Sequence, residues 1–97
     1  MQTFVMLTRL APEAVKSPKA LEDLERRAVE AVKAKCPKVK WKGSYTVTGP
    51  YDYIDIFEAP DLATAAQVSA LIRTFGHAHI WGAMEWARFK EAVRALG

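Results

Sequence analysis

The chain has 97 residues, of which 51% are hydrophobic and 26% are charged, and its net charge is +3 at pH 7. This length fits one domain, 1–97, and no apolar run approaches the roughly 18 residues that a membrane-spanning helix needs. The single cysteine, Cys36, excludes an internal disulfide and a cysteine-cluster metal site.

The first residues of the chain bear on the cellular location of the protein, and its amino-acid composition bears on its thermal stability. The segment MQTFVMLTRLAPE has neither the basic first part nor the long apolar stretch of a secretory signal peptide. We therefore expect a strand there and a cytoplasmic protein. The chain has no asparagine and only two glutamines, whereas Lys, Arg and Glu are plentiful. This bias favours a thermostable protein.

The first predicted elements are a strand and a long helix. Residues 3–10, TFVMLTRL, form a continuous β-rich run, which is typical of a strand buried on both faces. A helix follows after a loop, because Ser17 is suited to cap it and Pro18 to its first turn. Pro37 predicts that this helix stops just before it. The apolar stripe of the helix consists of Leu21, Leu24, Ala28, Ala31 and Val32.

The next segment alternates between apolar and polar residues and is rich in lysine. The alternation starting at Val39 predicts a half-exposed strand with Trp41, Tyr45 and Val47 on one side. Residues 33–42, KAKCPKVKWK, carry five lysines and no acid. Lysines beside a tryptophan can bind nucleic-acid phosphates, but they also protect an edge strand from aggregation. Because no nucleic-acid-binding motif accompanies them, we predict no nucleic-acid partner.

The second half of the chain predicts a hairpin, a helix, a last strand and a tail helix. Gly49 and Pro50 turn the chain, and YDYIDIFE then forms the third strand, which Pro60 ends. Asp61 is placed to cap a second helix, and Gly76 to close it as a left-handed C-terminal glycine. The segment HAHIWGAMEW predicts a fourth strand. The segment ARFKEAVRAL predicts a short helix whose apolar side consists of Phe89, Val93 and Leu96.

The order βαββαβ plus a tail helix predicts an α+β, ferredoxin-like fold. In this fold a four-stranded antiparallel sheet carries both main helices on one face. The third strand is apolar at both parities, with Ile54 and Ile56 against Tyr53 and Phe57, whereas a face left in water would show alternate polar residues. We therefore predict a homodimer, or a higher assembly of dimers, whose bare sheets pair face to face as a dimeric α/β barrel.

Two motifs carry a resemblance to a known family. The segments GPYD (49–52) and IFEAPD (56–61), with FVMLTRLAPEAVK near the start, resemble the GYD-domain family. That family looks like a branch of the dimeric α/β-barrel superfamily without a well-established reaction, so the resemblance implies fold and dimer but no chemistry. The same stretch is similar to the ligand-binding domain of Lrp/AsnC-type regulators, which implies a small-effector pocket between subunits beside the hairpin. The helix-turn-helix half of those regulators is absent.

Five residues in and after the hairpin are candidate ligand contacts. Tyr51 offers a ring and a hydroxyl at the sheet rim, and Asp52 either builds the bend through backbone N–H groups or faces a ligand. Asp55 lies mid-strand, where an unpaired buried carboxylate is costly. We expect it to be protonated, hydrogen-bonded, paired with an Arg or Tyr across the sheet, in a wet cavity, or in contact with solvent. We expect it in the cavity between sheets. Tyr53 and Phe57, of the same parity, would be its apolar walls.

His77 and His79 form a His-x-His pair on the last strand, where alternate residues share a face. A metal would need a third ligand, from a nearby carboxylate or a partner subunit, and two histidines alone lead us to predict no metal. One histidine could instead work with Asp55 as an acid/base pair, or both could simply pack or lie at the surface. No nucleotide or phosphate-loop motif occurs, and we predict no cofactor.

Two functions remain open from the sequence. The first is a homodimeric binding or regulatory module that holds a small hydrophobic or amino-acid-like ligand between its sheets. The second is a small cofactor-free enzyme of the oxygenase or isomerase type, in which Asp55 and His77 or His79 move protons. Convergence of these three side chains on a closed apolar cavity would favour the enzyme, and their dispersal would favour binding.

Overall fold

A computed structural model describes residues 1–97, the whole chain. Its strands lie in the order β2-β3-β1-β4, and all neighbouring pairs are antiparallel. This is the predicted α+β, ferredoxin-like sheet, so the fold class is confirmed. The elements, in chain order, are β1 (Gln2–Leu10), a 3₁₀ turn (Pro12–Val15), α1 (Pro18–Lys35), β2 (Lys40–Thr46), β3 (Tyr53–Ala59), α2 (Leu62–Ile72), β4 (Gly76–Ala83) and α3 (Trp86–Arg94).

Both main helices begin at the predicted capping residues. The Ser17 hydroxyl accepts a hydrogen bond from the backbone N–H of Ala20 at 3.1 Å, at the start of α1. The Asp61 carboxylate accepts one from the N–H of Thr64 at 2.8 Å, at the start of α2, and this bond lowers the pKa of Asp61. Each cap satisfies a backbone donor that the first helical turn leaves free.

The prediction for Gly76 is wrong. Gly76 does not close α2 in a left-handed conformation, because it is the first residue of β4 and lies opposite Leu10 of β1. A Cβ at this position would stand 2.4 Å from the backbone oxygen of Arg9. The close approach of two strands, rather than the end of a helix, is therefore what requires glycine here.

We call the sheet face that carries the helices the inner face. The core of the molecule lies between this face and the two main helices, with Phe57, Met6 and Val68 among its fully buried side chains. Phe4 and Met6 lie two residues apart on β1, and Phe57 and Ala59 lie two apart on β3, so one parity of each strand supplies the sheet side of the core. The remaining members of the core are Phe4, Val32, Cys36, Ala59, Ala65 and Ile72.

The opposite face, which we call the outer face, has no cover within the chain. Its central side chains are half-buried at best, and Trp81 is 56% exposed. An apolar sheet face open to solvent was predicted from the two apolar parities, and the structure contains it. The apolar residues at its centre are Val5, Leu7, Ile54, Ile56 and Trp81.

Strand β2 lies at the edge of the sheet and contains an irregularity that the sequence did not predict. The pairing with β3 shifts by one residue between Trp41 and Gly43, which is a β-bulge. Trp41 consequently lies opposite Phe57 on the inner face, whereas Tyr45 lies opposite Ile54 on the outer face. The prediction that Trp41 and Tyr45 share one side is therefore wrong, because the inserted residue reverses the alternation.

The tail helix α3 buries none of its own residues. The Trp86 and Phe89 rings lie 5.2 Å apart, and the residues of the predicted apolar side, Phe89, Val93 and Leu96, are all exposed. The molecule is accordingly elongated, measuring 54 × 30 × 17 Å. The tail helix thus leaves the outer face uncovered. None of the helices has the length and apolarity that crossing a membrane requires.

Candidate functional site

The hairpin between β2 and β3 is tied to the end of β1 through Asp52. Gly49 turns the chain with a φ of 131°, which glycine tolerates, and the Gly49–Pro50 peptide is cis. The backbone N–H of Asp52 donates to the carbonyl of Thr8 at 2.9 Å, and its Oδ2 accepts from the N–H of Leu10 at 2.6 Å. Of the two roles considered for Asp52, these bonds correspond to building the bend.

Tyr51 lies beside the outer face, between a cation and a histidine. The Cζ atom of Arg9 stands 5.8 Å from the centre of the Tyr51 ring, within the range of a cation–π contact. The Nε–H of Arg9 also donates to the backbone oxygen of Pro50 at 3.2 Å. The His79 ring meets Tyr51 edge-on, with ring centres 5.7 Å apart at 73°. Hairpin and sheet thus meet in a small polar cluster.

His77 completes this cluster on the last strand. It lies opposite Arg9, and His79 lies opposite Leu7, so both histidines share the outer face, as their spacing predicted. Both side chains are exposed. We call the four residues Arg9, Tyr51, His77 and His79 the rim cluster. Arg9 was not selected from the sequence, although it is the only charged residue of β1 and could have been noticed for that reason.

Asp55 faces the helices and not the outer face, which corrects the expectation for this residue. It lies opposite Met6 on the inner face and is only 4% exposed. Its Oδ1 accepts hydrogen bonds from the Ser44 hydroxyl at 2.5 Å and from the indole N–H of Trp41 at 3.2 Å. The expectation failed because the edge strand β2 supplies two hydrogen-bond donors on the inner face, Ser44 and Trp41.

The environment of Asp55 changes its protonation. Burial raises the pKa of Asp55 above its ordinary value, and the hydrogen bonds from Ser44 and Trp41 oppose part of that rise. The cause is the cost of removing a charged carboxylate from water. Asp55 is therefore a buried acid that neighbouring donors satisfy, and no cation lies within ion-pair distance of it.

Tyr53 and Phe57 share the face of Asp55, as parity predicted, but that face is the inner one. Phe57 is fully buried and stacks between Phe4 and Trp41, with ring centres 5.8 and 5.2 Å away. Tyr53 is half-buried, and burial, together with the negative charge of Asp55, raises the pKa of its hydroxyl. The expectation that both residues line a cavity between sheets is wrong for this reason. A ligand contact at either residue stays a prediction.

The sheet separates the residues that the enzymatic hypothesis needs close together. Asp55 lies on the inner face, whereas His77 and His79 lie on the outer face, so they cannot form an acid/base pair within one chain. No three His, Cys, Asp or Glu side chains converge in a way that could hold a metal ion. The candidate groups are dispersed, which is the arrangement that favours binding over catalysis.

Two surface depressions lie away from all of these residues. One, of about 360 Å³, is lined by Cys36, Leu71 and neighbouring residues of α1 and α2. The other, of about 430 Å³, lies between the 3₁₀ turn, α1 and Phe75. Cys36 is 4% exposed and belongs to the core, and burial raises the pKa of its thiol, which disfavours the reactive thiolate form. Neither depression contains a member of the predicted site.

Comparison with known proteins gives a family and a fold. The family model for the GYD domain matches residues 4–93 of this chain. A crystal structure of a protein named FFRP-DM1 is 26% identical, with a TM-score of 0.55, over 87% of this chain and 100% of that one. A hypothetical protein from Pyrococcus horikoshii is also 26% identical, with a TM-score of 0.53, over 88% of this chain and 92% of that one.

A more distant likeness extends over almost the whole chain. The 30S ribosomal protein S6 from Thermotoga maritima is 13% identical, with a TM-score of 0.51, over 99% of this chain and 98% of that one. At this identity the likeness concerns the fold alone. A search among curated proteins gave no match.

Proposed function

The chain belongs to the GYD-domain family, and from that premise we propose that it is a small cytoplasmic binding or regulatory module that works as a homodimer. In this proposal two outer faces pair, and a small molecule occupies the space left between them. The family membership and the likeness to FFRP-DM1 support a small module of this kind without naming a ligand.

The observation that carries the proposal is the open outer face. Val5, Leu7 and Ile56 are only half-buried there, Trp81 is more than half exposed, and no helix of the chain covers them. Burying apolar area contributes about 25 cal/mol per Å², so a second sheet face of the same composition is a favourable cover. Interfaces that complete a core in this way usually exceed about 2,000 Å² and are apolar.

A two-fold axis through the outer face makes the same patch serve both subunits. Such isologous pairing closes after two copies and leaves no apolar face free to polymerise. The hairpin and the rim cluster would then border the space between sheets, near the edge of the interface. The enzymatic alternative receives no such support, because pairing the outer faces leaves Asp55 on the far side of its own sheet.

Sedimentation equilibrium across micromolar concentrations tests the assembly. The chain should behave as a dimer, and Ile54→Lys, which places a charge at the centre of the outer face, should give a folded monomer. Val29→Lys is the matched control, because Val29 is exposed on α1, away from the outer face. A stable monomer of the natural sequence, or a dimer that Ile54→Lys leaves intact, would contradict the proposal.

Native mass spectrometry of freshly purified protein tests the binding role. A dimer that carries a small molecule, released on denaturation, is the expected result. A dimer whose mass equals two bare chains, and whose unfolding no small molecule shifts, would argue against a binding module.

A further inference from the structure

We propose that the rim cluster binds the carboxylate of a small, mostly apolar acid, with Arg9 as its anchor. This inference rests on the proposed function, since it names the class of ligand that the space between the sheets would take. It goes further because it assigns one end of that space to the carboxylate of the ligand and the rest to the apolar part of the ligand.

Arg9 is held in place but keeps most of its donors free. Its Nε–H is engaged with the carbonyl of Pro50, and its guanidinium lies 5.8 Å from the Tyr51 ring centre. An arginine has five N–H donors in a planar fork, and Arg9 makes neither of the chain's two ion pairs. A fork fixed in this way is suited to donate hydrogen bonds to both oxygens of a carboxylate.

The neighbouring rings add donors around the same position. His77 lies opposite Arg9 on β4, and cross-strand partners bring their Cβ atoms to about 4.5–5.5 Å from one another. His79 is oriented by its edge-on contact with Tyr51. An imidazole has at least one N–H to donate in either protonation state, and the tyrosine hydroxyl can donate as well. With a single permanent cation, the cluster matches one negative charge better than two.

No acid of the chain occupies this position. The carboxylate of Asp52 is turned to the backbone N–H of Leu10. The acid of β3 that shares the outer face, Glu58, lies opposite Thr3 and contacts Lys42 at 3.6 Å. Thr3 is six residues from Arg9 along β1, or about 20 Å at the usual rise of about 3.4 Å per residue. Neither carboxylate forms an ion pair with Arg9.

The surface next to the rim cluster is apolar. Leu7 on β1 lies between Ile54 of β3 and His79 of the edge strand β4, and Val5 follows two residues further along the same face. A ligand whose carboxylate contacts Arg9 would extend over Leu7 and Ile54. An uncharged aromatic or aliphatic body of a few carbon atoms fits that path, because it would bury apolar area against Leu7 and Ile54.

Titration with phenylacetate, followed by NMR of the isotope-labelled full chain, tests this assignment. Phenylacetamide, which has the same shape without the charge, and inorganic phosphate serve as comparison probes. Phenylacetate should shift the signals of the rim cluster and of Leu7 in a saturable way. Phenylacetamide should bind at least about tenfold more weakly, because the charged hydrogen bonds are lost.

Variants locate the site. Arg9→Gln should weaken phenylacetate at least about tenfold, and His79→Gln should weaken it less, because only the arginine carries the charge. Arg26→Gln on the exposed side of α1 is the matched control and should leave the affinity unchanged. Unfolding midpoints of all variants show whether each remains folded, and the comparison of acid with amide on the natural chain does not depend on any variant.

Several outcomes would overturn the inference. Equal affinity for phenylacetate and phenylacetamide, unchanged affinity in Arg9→Gln, absence of any saturable shift, or tighter binding of phosphate than of phenylacetate would each do so. Sedimentation of the same samples reports on the dimer separately. A dimer that does not bind phenylacetate would contradict the anion site alone. A monomer that binds phenylacetate through Arg9 would contradict the homodimer alone.

Discussion

On the inner face of the sheet, Phe57 stacks between two aromatic rings and is fully buried, whereas Ile56, the preceding residue of the same strand, is only half-buried on the outer face. Both faces are apolar at their centre. The difference is that helices cover one of them and nothing in the chain covers the other. The helices that pack on the inner face, and not the type of side chain, therefore decide which residues of β3 are buried, and they bury even the carboxyl of Asp55.

The largest effect should separate the two faces directly. Phe57→Ala removes a fully buried ring and should lower the free energy of unfolding by about 3–5 kcal/mol. Ile56→Ala should cost about 1 kcal/mol in dilute solution and more as the protein concentration rises, since a partner would then bury it. Urea unfolding at two concentrations measures both. Equal losses that do not depend on concentration would remove the distinction between the faces.

The polar contact of the inner face should rank next. Ser44→Ala removes a donor from the buried carboxylate of Asp55 and should cost about 1.5–3 kcal/mol at neutral pH. Thr48→Ala, an exposed position beyond the end of β2, is the control and should stay within about 0.5 kcal/mol. If both substitutions cost the same, Asp55 does not depend on the edge strand.

Two glycines of β4 sharpen the comparison along the inner face itself. Gly76→Ala places a Cβ against the backbone of Arg9 and should cost about 1–3 kcal/mol, because a backbone atom cannot easily give way. Gly82→Ala meets no atom within 4 Å and should change stability by less than about 0.5 kcal/mol. Thermal unfolding of both variants checks this, and a neutral Gly76→Ala would mean that β1 and β4 can separate at this end.

The smallest effect should appear as a pH dependence. Because burial raises the pKa of Asp55, its contribution to stability is complete below the ordinary value of 3.8 and is lost as pH rises through the raised value. Asparagine has no proton to lose. Asp55→Asn should therefore gain stability relative to the natural chain between acidic and neutral pH and then level off. Urea unfolding across that range measures the difference, and a constant or declining difference contradicts the expected sign.

Much of the fold was predictable because it depends on local chemistry. Ser17 and Asp61 cap helices by accepting bonds from residues three positions away, so the sequence contains both partners. The prediction for Gly76 failed for the opposite reason. Its spatial neighbour Arg9 is distant in the sequence, and a glycine at this position also suits the end of a helix. The bulge at Gly43 was not predicted because the alternation of apolar and polar residues continues on both sides of it in the sequence, although glycine is frequent at bulges.

The candidate site divides in the same way. Parity correctly grouped Asp55 with Tyr53 and Phe57, and His77 with His79, but parity does not say which group faces the helices. Which group faces the helices depends on the side chains that neighbouring elements place on each face. The donors for Asp55 come from β2, whose bulge reverses the alternation that the sequence predicts. Arg9 is the one charged residue of β1, but its contact with Tyr51 depends on the fold of the hairpin and is not readable from the sequence.

The bond between Ser44 and Asp55 has a consequence for how the edge strand finds its place. An edge strand can slide along its neighbour, and a shift of one residue turns every side chain to the opposite face. Such a shift of β2 would carry Ser44 away and leave a buried carboxylate without its donor, which is costly. The buried carboxyl of Asp55 thus favours the native register of β2, because a shifted register that apolar contacts alone would tolerate leaves this carboxyl without its donor.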